Sequence, residues 1–132
     1  MQLHIGSGRF DLPIPSGHAK SQLPAWYHRP ANLTDTSQIV IVLHGTSRAA
    51  RTSRDKWAPH AEEQGFFVVV PDFEVGYFND PAYAYANLWS PEPPFGMQDW
   101  SASYGIILDR LFEAVSSALG GHAQQFILYG HS

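Results

Sequence analysis

The sequence predicts an α/β domain, a mostly parallel sheet with helices on both faces. Ile39–Leu43 and Phe66–Val70 are each an unbroken apolar run without alternation, the mark of strands covered on both sides. A helical segment lies between them. Strand, helix and strand within about thirty residues make a right-handed crossover unit. A third such strand, Gln125–Tyr129, follows a long amphipathic helix.

Taken in order, residues 1–24 hold three glycines (Gly6, Gly8, Gly17) and three prolines (Pro13, Pro15, Pro24), an irregular lead-in with one short strand around Arg9–Leu12. Gly6 and Gly8 lack the preceding strand and following lysine of a phosphate loop. Ala25–Arg29 is bulky and extended and stops at Pro30, which suits an edge or near-edge strand. Residues 32–36 are turn chemistry. After the Ile39–Leu43 strand the chain is polar through Thr46–Asp55. A short helix is expected around Pro59–Gln64, with Pro59 in its first turn and Gly65 closing it. Residues 73–100 carry eight of the eighteen aromatic residues and no sustained period, so they read as an ordered excursion over the sheet, not a linker. From Asp99 as N-cap, Trp100, Tyr104, Ile107, Leu108, Leu111, Val115 and Leu119 form one helical face, ended by Gly120 and Gly121.

Composition narrows the function. With 132 residues, the chain suits one small domain that buries roughly two-thirds of its unfolded surface. Eight basic against twelve acidic residues, net −4, make a poor grip for a phosphate backbone, so no nucleic-acid partner is expected. The absence of cysteine removes a disulfide framework, a thiolate zinc site and a cysteine nucleophile. His4, His18, His28, His44, His60, His122 and His131 include no metal-ligand spacing, so no metal is expected. No secretory signal and no membrane-length apolar stretch are visible; no membrane partner is expected, and a cytoplasmic location is the default.

Two motifs carry chemistry. The Gln125–Tyr129 strand runs straight into Gly130-His131-Ser132, the first half of a Gly-x-Ser-x-Gly nucleophile elbow. A serine hydroxyl is a weak nucleophile and must stand exposed at a strand's carboxyl end, where a base can reach it. The second motif is Leu43-His44-Gly45-Thr46, after the first buried strand. Ester hydrolysis passes through an oxyanion that needs preorganised N–H donors. The backbone N–H of Thr46 is the expected donor here, Gly45 permits close approach, and His44 reads as structural.

In order and spacing, these features resemble the first half of an α/β-hydrolase over about residues 25–132. HGTSRAA, WAPHAEEQGFFVVVPDF and FILYGHS resemble the branch of polyhydroxybutyrate depolymerase-like and feruloyl-esterase-like proteins. The resemblance implies a serine hydrolase that cleaves a small-molecule or polymeric carboxylic ester through an acyl-enzyme at Ser132. Acyl transfer or thioester hydrolysis uses the same parts, and a non-catalytic binding module shares the scaffold. In this family the triad carboxylate and histidine follow the serine, so residues 1–132 are expected to be the N-terminal segment of one hydrolase domain, with its C-terminal half as partner. Asp72, Asp99 and His131 precede or adjoin the serine and read as a strand-end turn, a helix cap and the elbow's middle residue.

Two sets of residues near these motifs stay open. The aromatic excursion serves as its own small core or as a lid or pocket wall over the serine; Trp89 and Tyr85 are the first choices for substrate contacts. Arg48, Arg51 and Arg54 read as solvated charges, with Arg48 fixing its loop or meeting a substrate carboxylate as the alternative.

Overall fold

In the computed structural model, residues 1–15, 20–45, 48–74, 77–78, 89–90, 96–97 and 104–130 are described. The elements run β1 (Gly6–Pro13), β2 (Gln22–Arg29), β3 (Ile39–Leu43), α1 (Ala50–Gln64), β4 (Phe67–Pro71), β5 (Trp89–Ser90), β6 (Gly96–Met97), α2 (Tyr104–Ala118) and β7 (Ile127–Gly130). Five strands form one sheet in the order β1-β2-β4-β3-β7, and β5 and β6 form a separate antiparallel pair. The β1–β2 and β2–β4 ladders are antiparallel, whereas β3 is parallel to both β4 and β7. Four strands therefore point one way and β2 alone is reversed.

The two crossovers leave β3 and β4 in opposite directions across the sheet. With one handedness, that requires helices on opposite faces, and the packing shows it. On one face Ile39, Ile41, Phe67 and Val69 pack with Ile107, Leu111 and Val115 of α2. On the other, Val40, Val42, Val68 and Val70 pack with Ala50 and Ala61 of α1 and with Trp26 and Trp57. The period of two along β3 and β4 thus feeds both cores, which is why these strands show no alternation.

Two elements and two arginines differ from their expected form. The lead-in holds an eight-residue strand that pairs with β2 along its whole length. Leu12 and Leu23 lie opposite each other and are buried. Gly8 is needed there, because a Cβ would meet the Tyr27 ring at 2.5–2.9 Å.

The helix expected at Pro59–Gln64 begins at Ala50, so Pro59 lies in its interior, not its first turn. Gly65, in the left-handed region at φ 76°, ends the helix as expected, its N–H donating to the Ala61 carbonyl.

The solvated reading of Arg48 and Arg54 is corrected as well: they are 9% and 5% exposed. Arg54 lies on the sheet-facing stripe of α1. Its guanidinium donates to the carbonyls of Gly8 (2.9 Å) and Tyr27 (3.2 Å) and pairs with Asp55 (2.8 Å). Arg51 is exposed, as expected, with its guanidinium 5.5 Å from the Trp26 ring centroid.

Helix α2 buries Tyr104, Ile107, Leu111 and Val115, the face its period marks. Gly120 and Gly121 follow at φ 106° and 77°. Asp99 and Trp100, its expected first turn, lie outside the described residues. Strand β7 pairs with β3 on one side, and Ile127, Leu128 and Tyr129 are about half exposed. Among the described residues, no helix is long and apolar enough to cross a membrane.

Candidate functional site

The sheet brings together the residues that begin the two sequence motifs, Leu43 and Gly130. Leu43, the last residue of β3, pairs with Gly130, the last residue of β7. The segment that begins His44-Gly45 and the segment that follows Gly130 therefore leave adjacent parallel strands at their carboxyl ends. Between β3 and β7 the order of the strands reverses, and in open α/β sheets ligands bind at such a switch point. A Cβ on Gly130 would meet nothing within 4 Å, so the described surroundings do not themselves demand glycine there.

His44 follows β3 directly and is 2% exposed. Its Nε2 accepts the backbone N–H of Phe73 at 3.0 Å, and Nδ1 lies 3.1 Å from the Gly45 carbonyl. An amide N–H can only donate, so Nε2 is the acceptor and the proton sits on Nδ1, donating to Gly45. Gly45 accepts a second hydrogen bond at 3.0 Å, from the backbone N–H of Arg48. Arg48 has φ 55°, the one left-handed conformation at a non-glycine among the described residues. Its guanidinium donates to the carbonyl of Phe73. Both backbone polar groups of Phe73 thus tie the connection after β4 to the connection after β3. This bears out the alternative reading in which Arg48 fixes its loop.

An aromatic wall backs this corner. Phe73 stacks on Tyr104 with centroids 5.1 Å apart, and Phe78 meets both edge-on at 5.3 and 5.2 Å. These rings belong to the main core, so this part of the aromatic excursion serves the packing role.

Burial governs the electrostatics. Desolvation pushes the His44 imidazole below its ordinary value, against its bond to Gly45 and the Asp72 carboxylate; the Arg48 cation acts in the same direction as burial. Desolvation raises the Asp72 carboxyl, opposed mainly by the Trp26 indole N–H donated to it at 3.4 Å. Burial also raises the Tyr104 phenol, with Arg48 opposing.

A group whose pKa falls on folding favours the deprotonated native state. His44 therefore contributes stability that is complete above the unfolded pKa of about 6.5 and is lost as pH falls below it. Urea titrations from about pH 7.5 to about pH 5.5 are expected to show declining stability from His44, with Asp72, raised by burial, acting with the opposite sign. His44→Asn is expected to flatten that decline.

Thr46, Tyr85, Ser132 and His131 lie outside the described residues, and Trp89 is described only as backbone in β5. Asp72 sits at a strand end, with its N–H on the Pro24 carbonyl, as expected of a turn residue. Among the described residues no group of three His, Asp or Glu could hold a metal ion. Sequence reasoning did not single out Phe73 as a tie point. Its contribution is through backbone atoms, which carry no residue-type signal.

No protein-family model and no curated protein matches the sequence. Solved structures do. The chain is similar to poly(aspartic acid) hydrolase-1 from Sphingomonas sp. KT-1, with a TM-score of 0.83 and 27% identity over 98% of this chain and 48% of that one. It is also similar to LpqC, a poly(3-hydroxybutyrate) depolymerase from Bordetella parapertussis, with a TM-score of 0.83 and 20% identity over 98% of this chain and 44% of that one. An S-formylglutathione hydrolase from Agrobacterium tumefaciens matches with a TM-score of 0.57 and 20% identity, over 96% of this chain and 48% of that one. The chain spans about half the length of these structures. The strand order with β2 alone reversed, the helices on both faces and these matches together identify the fold as that of an α/β-hydrolase.

Proposed function

We propose that the protein is a serine hydrolase that cleaves a carboxylic ester, with Ser132 as nucleophile and the backbone N–H of Thr46 as one oxyanion donor. The observation that supports this reading is the pairing of Leu43 with Gly130, the residues that begin the two motifs, at adjacent strand ends. The similarity to hydrolases over nearly the whole chain supports it.

In the proposed reaction, Ser132 attacks the ester carbonyl as its hydroxyl proton passes to a histidine. The carbonyl oxygen becomes an oxyanion held by N–H donors. Collapse expels the alcohol, which takes the proton from the histidine, and leaves an acyl-serine. Water then attacks the acyl carbon, gives a proton to the histidine, and the acid departs as Ser132 regains its hydrogen. Acyl groups and protons are all that move, so this scheme calls on no cofactor. The histidine and the carboxylate that orients it belong to the part of the domain following residue 132. The half-exposed apolar residues of β7 are a natural seat for that part.

Two of the similar structures are, by name, hydrolases of polymers, poly(aspartic acid) and poly(3-hydroxybutyrate). The first polymer is joined by amides and the second by esters, so the names support a link within an oligomeric chain; the ester of that kind is the substrate class proposed, with Trp89 and Tyr85 as candidate walls for the acyl chain. The test is labelling of the full-length protein with a fluorophosphonate probe, followed by peptide mapping. Stoichiometric modification at Ser132, blocked by a 3-hydroxybutyrate oligomer that is itself cleaved, is the expected result. An unlabelled, folded protein would end the serine-hydrolase reading.

A further inference from the structure

Away from that corner, a second set of chemistry-bearing side chains meets where β1, β2 and α1 come together. Ser7 of β1 and His28 of β2 are direct partners across the ladder, so their side chains share one face of the sheet. It is the face covered by α1, because Trp26, two residues before His28, packs with Ala50 and Ala61. Glu62 reaches the same face from the last turn of α1. The three make one hydrogen-bonded line: Ser7 Oγ lies 2.8 Å from His28 Nδ1, and His28 Nε2 lies 2.9 Å from Glu62 Oε1. The other carboxylate oxygen accepts the Ala31 N–H at 3.1 Å.

A carboxylate can only accept, so in the neutral imidazole the proton sits on Nε2. Nδ1 is then left to accept from the Ser7 hydroxyl. Nucleophile, base and a third group that orients the base stand in that order, each within hydrogen-bond reach of the next. The bonds from His28 and from Ala31 hold the Glu62 carboxyl below its ordinary value, so it stays a charged partner. The His28 side chain is only 12% exposed, whereas Ser7 is open to solvent.

We propose that Ser7 is a second reactive serine, which His28 and Glu62 activate toward small acyl donors. Oγ bonds to the carbonyl carbon as its proton passes to Nδ1, and the bond to the leaving oxygen or sulfur breaks. The leaving group takes the proton from the imidazolium, and Ser7 keeps the acyl group as an ester. Ser7 stands exposed on the outermost strand of the five-stranded sheet, so reactivity depends on the donor's own leaving group. Aryl esters and thioesters are the class that fits. The site is separate from the one proposed above. His28 pairs with Val68, and Val68 with Val40, toward the amino ends of β4 and β3, whereas Leu43 and Gly130 lie at the carboxyl ends. The proposal therefore does not rest on the serine-hydrolase reading. Its acylation is slow beside that of a complete active site and does not register in a brief fluorophosphonate assay.

The experiment incubates the full-length protein with p-nitrophenyl acetate and follows acetylation of each serine by peptide mapping. Ser117, exposed on α2, is the internal reference. Expected is acetylation of Ser7 about 100-fold faster than of Ser117, within the range that a positioned general base supplies. His28→Ala should bring Ser7 down to the rate of Ser117. Glu62→Gln is the finer probe, because glutamine has one acceptor oxygen for two donors, Nε2–H and the Ala31 N–H. An amide N–H turned to Nε2 moves the ring proton to Nδ1 and disarms the base, so Ser7 should slow by about 10-fold or more at a nearly unchanged thermal midpoint. Wild-type Ser7 that reacts no faster than Ser117 overturns the proposal, as does a wild-type rate kept in either variant; the three residues are then only a tie between β1, β2 and α1. Labelling at Ser132 bears on the hydrolase reading alone, so the two failures are told apart.

Discussion

Replacing Ser132 with alanine is expected to lower kcat on an activated ester by about 10⁴-fold or more, with KM changed little and fluorophosphonate labelling gone. The loss corresponds to about 5.5 kcal/mol of transition-state stabilisation, since each tenfold in rate is about 1.4 kcal/mol. The size follows from the chemistry. Without the hydroxyl no acyl-enzyme forms, and what remains is water attack assisted by bound N–H donors. The thermal midpoint should stay near wild type, which separates lost chemistry from lost structure. A variant that keeps even a tenth of the turnover would show that another group attacks the ester.

The largest expected effect on stability is at Arg54. Truncation to alanine removes the donor to two carbonyls, those of Gly8 and Tyr27, and the guanidinium that lies over the Trp26 ring. A buried acceptor left without a donor costs about 1–3 kcal/mol, and lost packing adds to it, so about 3 kcal/mol is expected in urea titration. Arg51→Ala is the matched control. Its guanidinium lies as close to Trp26 but the side chain is exposed, and a change within about 0.5 kcal/mol is expected. Equal effects at the two positions would mean that the carbonyl contacts of Arg54 contribute nothing.

The contrast at Arg54 also shows what was legible in the sequence. Strands β3 and β4 and the buried face of α2 were readable because their burial is written in apolar side chains at period two or 3.6. The stripe of α1 is as regular: Ala50, Arg54, Trp57 and Ala61 recur at helical spacing. Two of its members are small and one is a cation, so hydrophobic periodicity does not register until Pro59. The full length of strand β1, beyond the short strand expected around Arg9–Leu12, escaped for a related reason. Its identity comes from pairing with β2 and from Gly8 making room for Tyr27, and neither is a local property. For the site, the two motifs were legible as short residue patterns directly after apolar strands, and the structure pairs the residues that begin them, Leu43 and Gly130. The bonds of Phe73 and the burial of Arg48 were not, since they join residues distant in sequence through main-chain atoms.

The ladder between Leu43 and Gly130 has a kinetic consequence. It joins residues farther apart in sequence than any other ladder of the five-stranded sheet, so it demands the largest loop closure there. The β3–α1–β4 unit and the β1–β2 hairpin close over far shorter distances and are expected to form earlier. A nascent molecule would then hold the corner that begins at His44 apart from the turn after Gly130 until β7 docks beside β3.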